Sequence, residues 1–336
     1  MKTILICTLL AAFSIGILPN ADKTAIQKTP DLVLLVEPYQ KPEQTAQEEK
    51  TADAAPESAD SQTVRLLTDG GVQELSMEDY LTGVLLSEMP PEFEEEARKA
   101  QAVAARTFTF RKCQHPKHDE ADVCDRADCC QAWTSREGLK EKYGNRFPAV
   151  WASAQKAVSQ TAGEVLLYDG ELIDAVYFSC SGGQTEAAVS VWGTDVPYLQ
   201  SVASPGETDA PRDSSQAIFT PDEFLSRLRK ENAAVQLDGA PETWLGQAQY
   251  SSGGGVLSYT LGGAAFSGAE LRRIFSLNST KFTLSYQDGA FVFDVSGFGH
   301  RVGLSQYGAE HMARLGFSYQ TILQYYYQGA HVENSA

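Results

Sequence analysis

The chain has 336 residues, 43% of them hydrophobic and 10% aromatic, a globular composition long enough for one large domain or two ordinary ones. Its 44 acidic side chains outnumber its 27 basic ones, for a formal net charge of -17. That balance excludes nonspecific binding to nucleic acid or anionic lipid, because no surplus of Lys and Arg is available to neutralise phosphates.

The N-terminus opens with Lys2 and runs uncharged from Thr3 to Ala21 around "ILICTLLAAFSIGIL". This reads as an export signal or a short membrane anchor; with no small-x-small cleavage site following, an uncleaved anchor over residues 1–21 is favoured over a removed signal peptide, and the rest of the chain is expected outside the cytoplasm because the single Lys precedes the span. Residues 22–62 read as a disordered acidic tether, rich in Glu, Ala, Gln, Ser and Pro.

Folded sequence then runs over 63–336. "TVRLLTDGGVQELS" predicts a hairpin about Asp69-Gly70-Gly71, and Ser76 caps the helix that follows. Two helices are broken at Pro90-Pro91, and further on come the Cys/His stretch, an amphipathic helix in "PAVWASAQKAVSQTAG" and strands in "EVLLYDGELIDAVYFSCSGG". A sub-lobe at about 215–285 follows, with a helix in "TPDEFLSRLRKEN", glycine-punctuated strands and a short helix in "GAELRRIF". The C-terminal part is a glycine-rich turn, "GFGHRVGLSQYG", and helices from about Ser305. Helices and strands mix without regular alternation, so the expected class is α+β, with short sheets and two lobes around a substrate groove.

In the first helix Leu81, Val84, Leu85 and Glu88 fall at i, i+3, i+4 and i+7, which puts a carboxyl group on the apolar stripe. Desolvation raises a carboxyl pKa, and the negative end of the helix dipole pushes the same way, so Glu88 is a candidate proton donor near neutral pH. The plainer reading is an ion pair with a cation of the next helix. Lys99 and Arg106 there, at i and i+7, are candidates to face one groove and bind a polar substrate.

"CQHPKHDEADVCDRADCCQAW" offers one imidazole and two thiolates at His118, Cys124 and Cys130, enough for a zinc site. A disulfide among Cys113, Cys124, Cys129 and Cys130 is the alternative, Cys129 competes as a ligand, and His115 does so more weakly. "FSCSGGQTE" leaves a predicted strand end, where Ser181, Gly182 and Gly183 are candidates to bind sugar; His300, Gln306 and Tyr307 are candidates in the last glycine motif. A thiol peptidase pairing Cys180 with His300 lacks any local signature.

"YLTGVLLSEMPPEFEEEARKAQAVAARTFTF" resembles the helical signature of the sporulation stage II protein D family, peptidoglycan lytic transglycosylases related to the amidase-enhancer proteins. The resemblance extends through "HDEADVCDRADCCQAW", "FSCSGGQTE", "VWGTDVPYLQSVASPGE", "FSGAELRRIFSLNSTKF" and "GFGHRVGLSQYGAEHMARLGFSYQTILQYYYQGAHV". It implies that Glu88 is the acid/base that cuts between N-acetylmuramic acid and N-acetylglucosamine, leaving a 1,6-anhydromuramoyl end. It also implies zinc at His118, Cys124 and Cys130, structural in role, and peptidoglycan glycan strands as substrate. The implied setting is the space between mother cell and forespore during engulfment, with an amidase/endopeptidase that strips stem peptides and a membrane scaffold protein as partners. A wall-binding enhancer of an amidase is the noncatalytic alternative. One carboxyl group suffices for the transglycosylase; the first half of the chain supplies no obvious second one for hydrolysis, with Glu186 in "SGGQTE" left open as a candidate.

Overall fold

The computed structural model describes residues 63–233, 235 and 237–335; the anchor and tether expected over 1–62 lie outside the described residues. Thr63–Thr68 and Gly71–Ser76 pair antiparallel in register Thr68↔Gly71, so the turn falls where the Asp-Gly-Gly signal put it. Helix α1, Met77–Glu88, starts at Ser76, whose side chain accepts from the Asp79 N–H at 3.2 Å. It stops where Pro90 and Pro91 follow, since proline cannot continue the N–H ladder. Helix α2, Glu95–Gln114, is the longest described and buries Ala97, Ala100, Ala104 and Ala105, small residues that let α1 and later helices approach it closely.

Helices α3 (Arg136–Tyr143) and α4 (Phe147–Ser159) come next, followed by α5 (Ala188–Trp192), α6 (Pro221–Glu231) and α7 (Gly268–Phe275). Both α6 and α7 begin with capping boxes, Thr220 with Glu223 and Ser267 with Glu270. Helices α8 (Gln306–Arg314) and α9 (Tyr319–Tyr326) complete the set. Among the described residues no helix is long and apolar enough to cross a membrane.

Among the described residues every sheet has two or three strands, and helices and strands mix without βαβ repetition, so the fold is α+β. Most pairs are antiparallel. Two short parallel pairs position the functional loops: Leu66–Leu67 with Val123–Cys124, and Tyr177–Phe178 with Leu304–Ser305.

Among the described residues two hydrophobic clusters form the interior. One gathers α1, α2, α4, α8 and α9 around Tyr80, Val84, Val103, Trp151 and Tyr326. The other gathers α6 and α7 around stacked rings, with Phe224 and Phe291 centroids 4.0 Å apart and Trp244 also stacked on Phe291, centroids 5.6 Å apart.

Candidate active site and metal centre

Glu88 is the last residue of α1, and its carboxyl group is partly buried against the loop that follows the cysteines. Its Oε1 accepts from the Ala132 N–H at 2.7 Å, and its Oε2 accepts a long 3.5 Å hydrogen bond from Gln306 Nε2. Burial holds the carboxyl above its ordinary range, and those two donors offset part of the rise. Glu88 therefore has both properties that a proton donor needs, a raised affinity for its proton and an open face.

Two cavities meet at this carboxyl group. One, of about 410 Å³, is lined by Pro90, Pro91, Lys142, Arg146, Gln306 and Tyr307. The other, of about 1000 Å³, runs past Gln131, Tyr177, Trp192, Arg272 and His300. Glu88, Ser87, Ser179 and Gln306 belong to both, so a single elongated groove passes over Glu88.

The chain holds the 131–134 loop against α1 by specific bonds. Gln131 Nε2 donates to the Tyr80 hydroxyl at 3.1 Å and to Thr109 Oγ1 at 3.0 Å, and its Oε1 accepts from the Tyr177 hydroxyl at 2.8 Å. Ser87 Oγ donates to Gly83 O and lies 2.9 Å from Thr134 Oγ1. A Cβ added at Gly83 would stand 2.3 Å from Trp133 Nε1, so glycine is required there for the loop to lie on the helix.

On the far side, α8 presents Gln306 and Tyr307. Ser305 caps this helix, and the buried carboxylate of Glu207 organises the turn: its Oε1 accepts from Ser305 Oγ and from Ser204 Oγ, and its Oε2 accepts from the Ser181 N–H and hydroxyl. Tyr307 packs edge-on against Phe93, centroids 5.0 Å apart.

The Cys/His loop forms one cluster. His118, Cys124, Cys129 and Cys130 bring their ligand atoms within 4.8 Å of one another, with His118 Nε2 3.6 Å from both Cys129 Sγ and Cys130 Sγ. None of the described cysteines is in a disulfide. Three thiols and one imidazole converging in this way fit a metal ion, and Cys129, read in the sequence as a competitor, stands among the donors. His115 and Cys113 stand outside the cluster; burial pushes the Cys113 thiol up to about 11.

Several other sequence expectations are placed differently by the structure. Lys99 turns away from Glu88 to Glu96 at 2.9 Å and Glu95 at 3.3 Å, with Tyr319 beneath it. Arg106 is fully buried, donating to Thr161 Oγ1 and to the carbonyls of Glu164 and Val158. Neither residue lines the groove, so the pair of groove cations expected from α2 is not formed.

Ser181 is also buried on Glu207, while Gly182 and Gly183 turn with positive φ beside it; Lys281 Nζ donates to Gly182 O at 2.6 Å. This motif braces the turn and does not line the groove. Glu186 is enclosed too, its Oε1 accepting from Ser251 Oγ, the Gly255 N–H and Arg301 Nη1, which removes it as a second catalytic carboxyl.

His300 does line the groove. Burial, and then the nearby Arg272 charge, hold its imidazole down at about 4, and its Nδ1 accepts from the Val302 N–H. It is neutral at physiological pH. Cys180 lies buried, its thiol pushed up to about 12, which leaves no thiolate for peptidase chemistry.

Comparison with known sequences identifies the relationship. The chain is 34% identical over 306 residues to stage II sporulation protein D of Bacillus amyloliquefaciens, covering 89% of this chain and 86% of that one. The chain belongs to the stage II sporulation protein D family. The same protein of Bacillus subtilis (strain 168) is 33% identical over 318 residues, covering 90% of this chain and 91% of its own length. The profile of the Stage II sporulation protein family matches residues 69–168, the segment that holds Glu88 and the Cys/His cluster. An amidase enhancer of Bacillus subtilis (strain 168) is 29% identical over 302 residues, covering 74% of this chain and 39% of that protein.

The groove residues that sequence reading missed are Ala132, which acts through its backbone, and Gln131, Tyr177, Trp192 and Arg272. Only Gln131 and Ala132 left a signal, as the "QA" directly after Cys130.

Proposed function

We propose that this chain is a lytic transglycosylase that cleaves peptidoglycan glycan strands between N-acetylmuramic acid and N-acetylglucosamine, with Glu88 as its single acid/base. The observation that carries this reading is the isolation of Glu88. It is the one carboxyl group on the groove lining, among the described residues, that is both desolvated and without a cationic partner. The other two acids there are held by arginine: Asp128 by Arg126 at 2.8 Å and Glu92 by Arg146 at 2.9 Å. Ordinary glycoside hydrolysis uses a matched pair of carboxyls, whereas intramolecular ring closure uses one.

In the first half-reaction protonated Glu88 gives its proton to the glycosidic oxygen as the C1–O bond breaks. Glu88 then takes the proton of the C6 hydroxyl as that oxygen bonds to C1, leaving the 1,6-anhydro ring and a restored acid. The Ala132 N–H and Gln306 Nε2 stabilise the carboxylate between the two steps. Neutral His300, Tyr307 and Lys142 offer polar contacts to the strand along the groove. His118, Cys124, Cys129 and Cys130 would hold a zinc ion that braces the loop carrying Gln131 and Ala132. Four protein donors fill a tetrahedral site, a structural role for the ion.

The proposed setting is the outer face of a membrane during sporulation, in septal wall remodelling and engulfment, with the chain anchored by its N-terminal segment. An amidase/endopeptidase and a membrane scaffold protein are the proposed partners. The amidase-enhancer relative favours a second reading, in which the groove binds wall and stimulates a partner amidase without cutting. Incubating purified strands with the full chain and with Glu88→Gln separates the two: cleavage lost on substitution supports the enzyme, and equal stimulation of an amidase by both forms with no strand cleavage supports the enhancer.

A further inference from the structure

Arg272, on α7, lines the 1000 Å³ part of the groove and not the 410 Å³ part that holds Pro90 and Pro91. With His300 it is one of the two residues shared by the 1000 Å³ cavity and an adjoining cavity of about 280 Å³. Its Nε donates to the Leu277 carbonyl at 3.3 Å, which fixes the plane of the guanidinium. Among the described residues no carboxylate pairs with it; the neighbouring Arg273 is the one that takes Glu231, at 2.7 Å. No acid lines the smaller cavity, and the acids of the larger one are Glu88 and Asp128, the latter held by Arg126. His300 beside it is neutral.

A partly desolvated cation without a counter-ion carries an unrecovered desolvation cost, which an arriving anion offsets. In a chain of net charge -17 such a site is conspicuous. A guanidinium with its plane fixed suits a carboxylate, which it meets with two parallel N–H donors. Trp192, 47% exposed and with its ring 5.4 Å from that of His300, offers an apolar face for a sugar ring next to this charge.

We propose that Arg272 forms a carboxylate-recognition subsite in this part of the groove, reading a carboxylate borne by the muramic acid residue of the bound strand. The proposal rests on the glycan-strand reading above. Two sources present that chemistry: the lactyl carboxylate set free when the stem peptide is cut off, and a carboxylate of an intact stem. Arg272 is thereby assigned to strand binding and Glu88 to bond cleavage, so the subsite governs which strands bind.

The test uses the full-length chain carrying Glu88→Gln, so that strands are bound and not turned over. The probes are fluorescently labelled glycan strands in three forms: stems removed, stems removed and carboxylates amidated with methylamine, and stems intact. Free-carboxylate strands are expected to bind about tenfold more tightly than amidated ones, the scale of one charge-assisted contact. Adding Arg272→Gln is expected to erase that difference, and Arg272→Lys to keep part of it.

Equal binding of all three probes, free, amidated and stem-bearing, by the Glu88→Gln chain overturns the subsite without recourse to any Arg272 variant. So does an Arg272→Gln loss of the same size on amidated strands, which marks a structural effect. Preference for stem-bearing strands that Arg272→Gln abolishes supports the subsite and assigns the carboxylate to the stem. The readout is binding. Failure of the transglycosylase reading, seen as absence of anhydro products from the unsubstituted chain, is thus distinguishable from failure of the subsite.

Discussion

Glu88 combines a raised pKa with an exposed edge, and each consequence has a sign that can be checked. An acid that must be protonated to act loses kcat/KM as pH rises through its pKa, so the alkaline limb of the rate profile is expected above the ordinary glutamate range. Stability follows the same group. Its folded pKa lies above the unfolded one, so its contribution is fully present below the unfolded carboxyl value and is lost as pH rises through the folded value. Glu88→Gln is accordingly expected to lower strand cleavage about 100- to 10 000-fold. It should also raise stability by on the order of 1 kcal/mol, more at pH 8 than at pH 5, as removal of a desolvated charge from a functional site does. Chemical denaturation at the two pH values measures the second effect, and a variant that is less stable at both contradicts it.

Glu88 was legible in the sequence because a helical period of apolar residues makes one misplaced charge visible. Lys99 and Arg106 were not, for a physical reason. The face of α2 that meets the groove depends on what packs around that helix, and Arg106 is satisfied by carbonyls at 158 and 164 that no pattern within α2 announces. The same holds for Glu207, which reads as a loop acid in "SPGETDAP" but accepts hydrogen bonds from three serine hydroxyls of separate segments.

At the scale of elements, the groove depends on the packing of the 131–134 loop against α1. Gly83→Ala places a methyl group where the Trp133 indole lies. Overpacking of this kind costs about 1–3 kcal/mol. Because displacing the loop removes the Ala132 donor, cleavage should fall further than stability alone accounts for; a thermal melt and a cleavage assay on the same preparation check this. At the proposed metal site, Cys124→Ser, Cys129→Ser and Cys130→Ser, each loaded with zinc, should release it to a chelator at least about tenfold faster than the zinc-loaded parent chain, since each removes one of four donors. Full retention by Cys129→Ser would remove it from the ligand set. The hairpin, the proline break and the Ser76 cap were readable from local signals. Helix α3 was missed because only Leu139 and Tyr143, four residues apart, are buried on an otherwise polar helix.

Across the whole molecule, residues far apart in sequence are tied at two buried charges. Arg301 donates to Ser181 O, Gln184 O, Gly253 O and Glu186, while Glu207 joins the 181–183 turn, Ser204 and the start of α8. Such nodes set where Gln306 and Tyr307 stand relative to Glu88. Glu207→Gln replaces an acceptor-only group with one that must donate into a ring of donors, and about 3 kcal/mol of destabilisation is expected, read by urea unfolding. The α+β class was legible from the irregular order of elements. The assembly of the groove was not, because its lining comes from segments between Leu86 and Tyr307 that are united only by tertiary packing.

The central claim is that Glu88 alone closes an anhydro ring without water. Digesting purified glycan strands with the full-length chain in heavy-oxygen water, and weighing the products by mass spectrometry, tests it most directly. The account predicts muramic acid ends lighter by one water and free of heavy oxygen, absent with Glu88→Gln. Reducing ends carrying heavy oxygen, or the same products from Glu88→Gln, would contradict it.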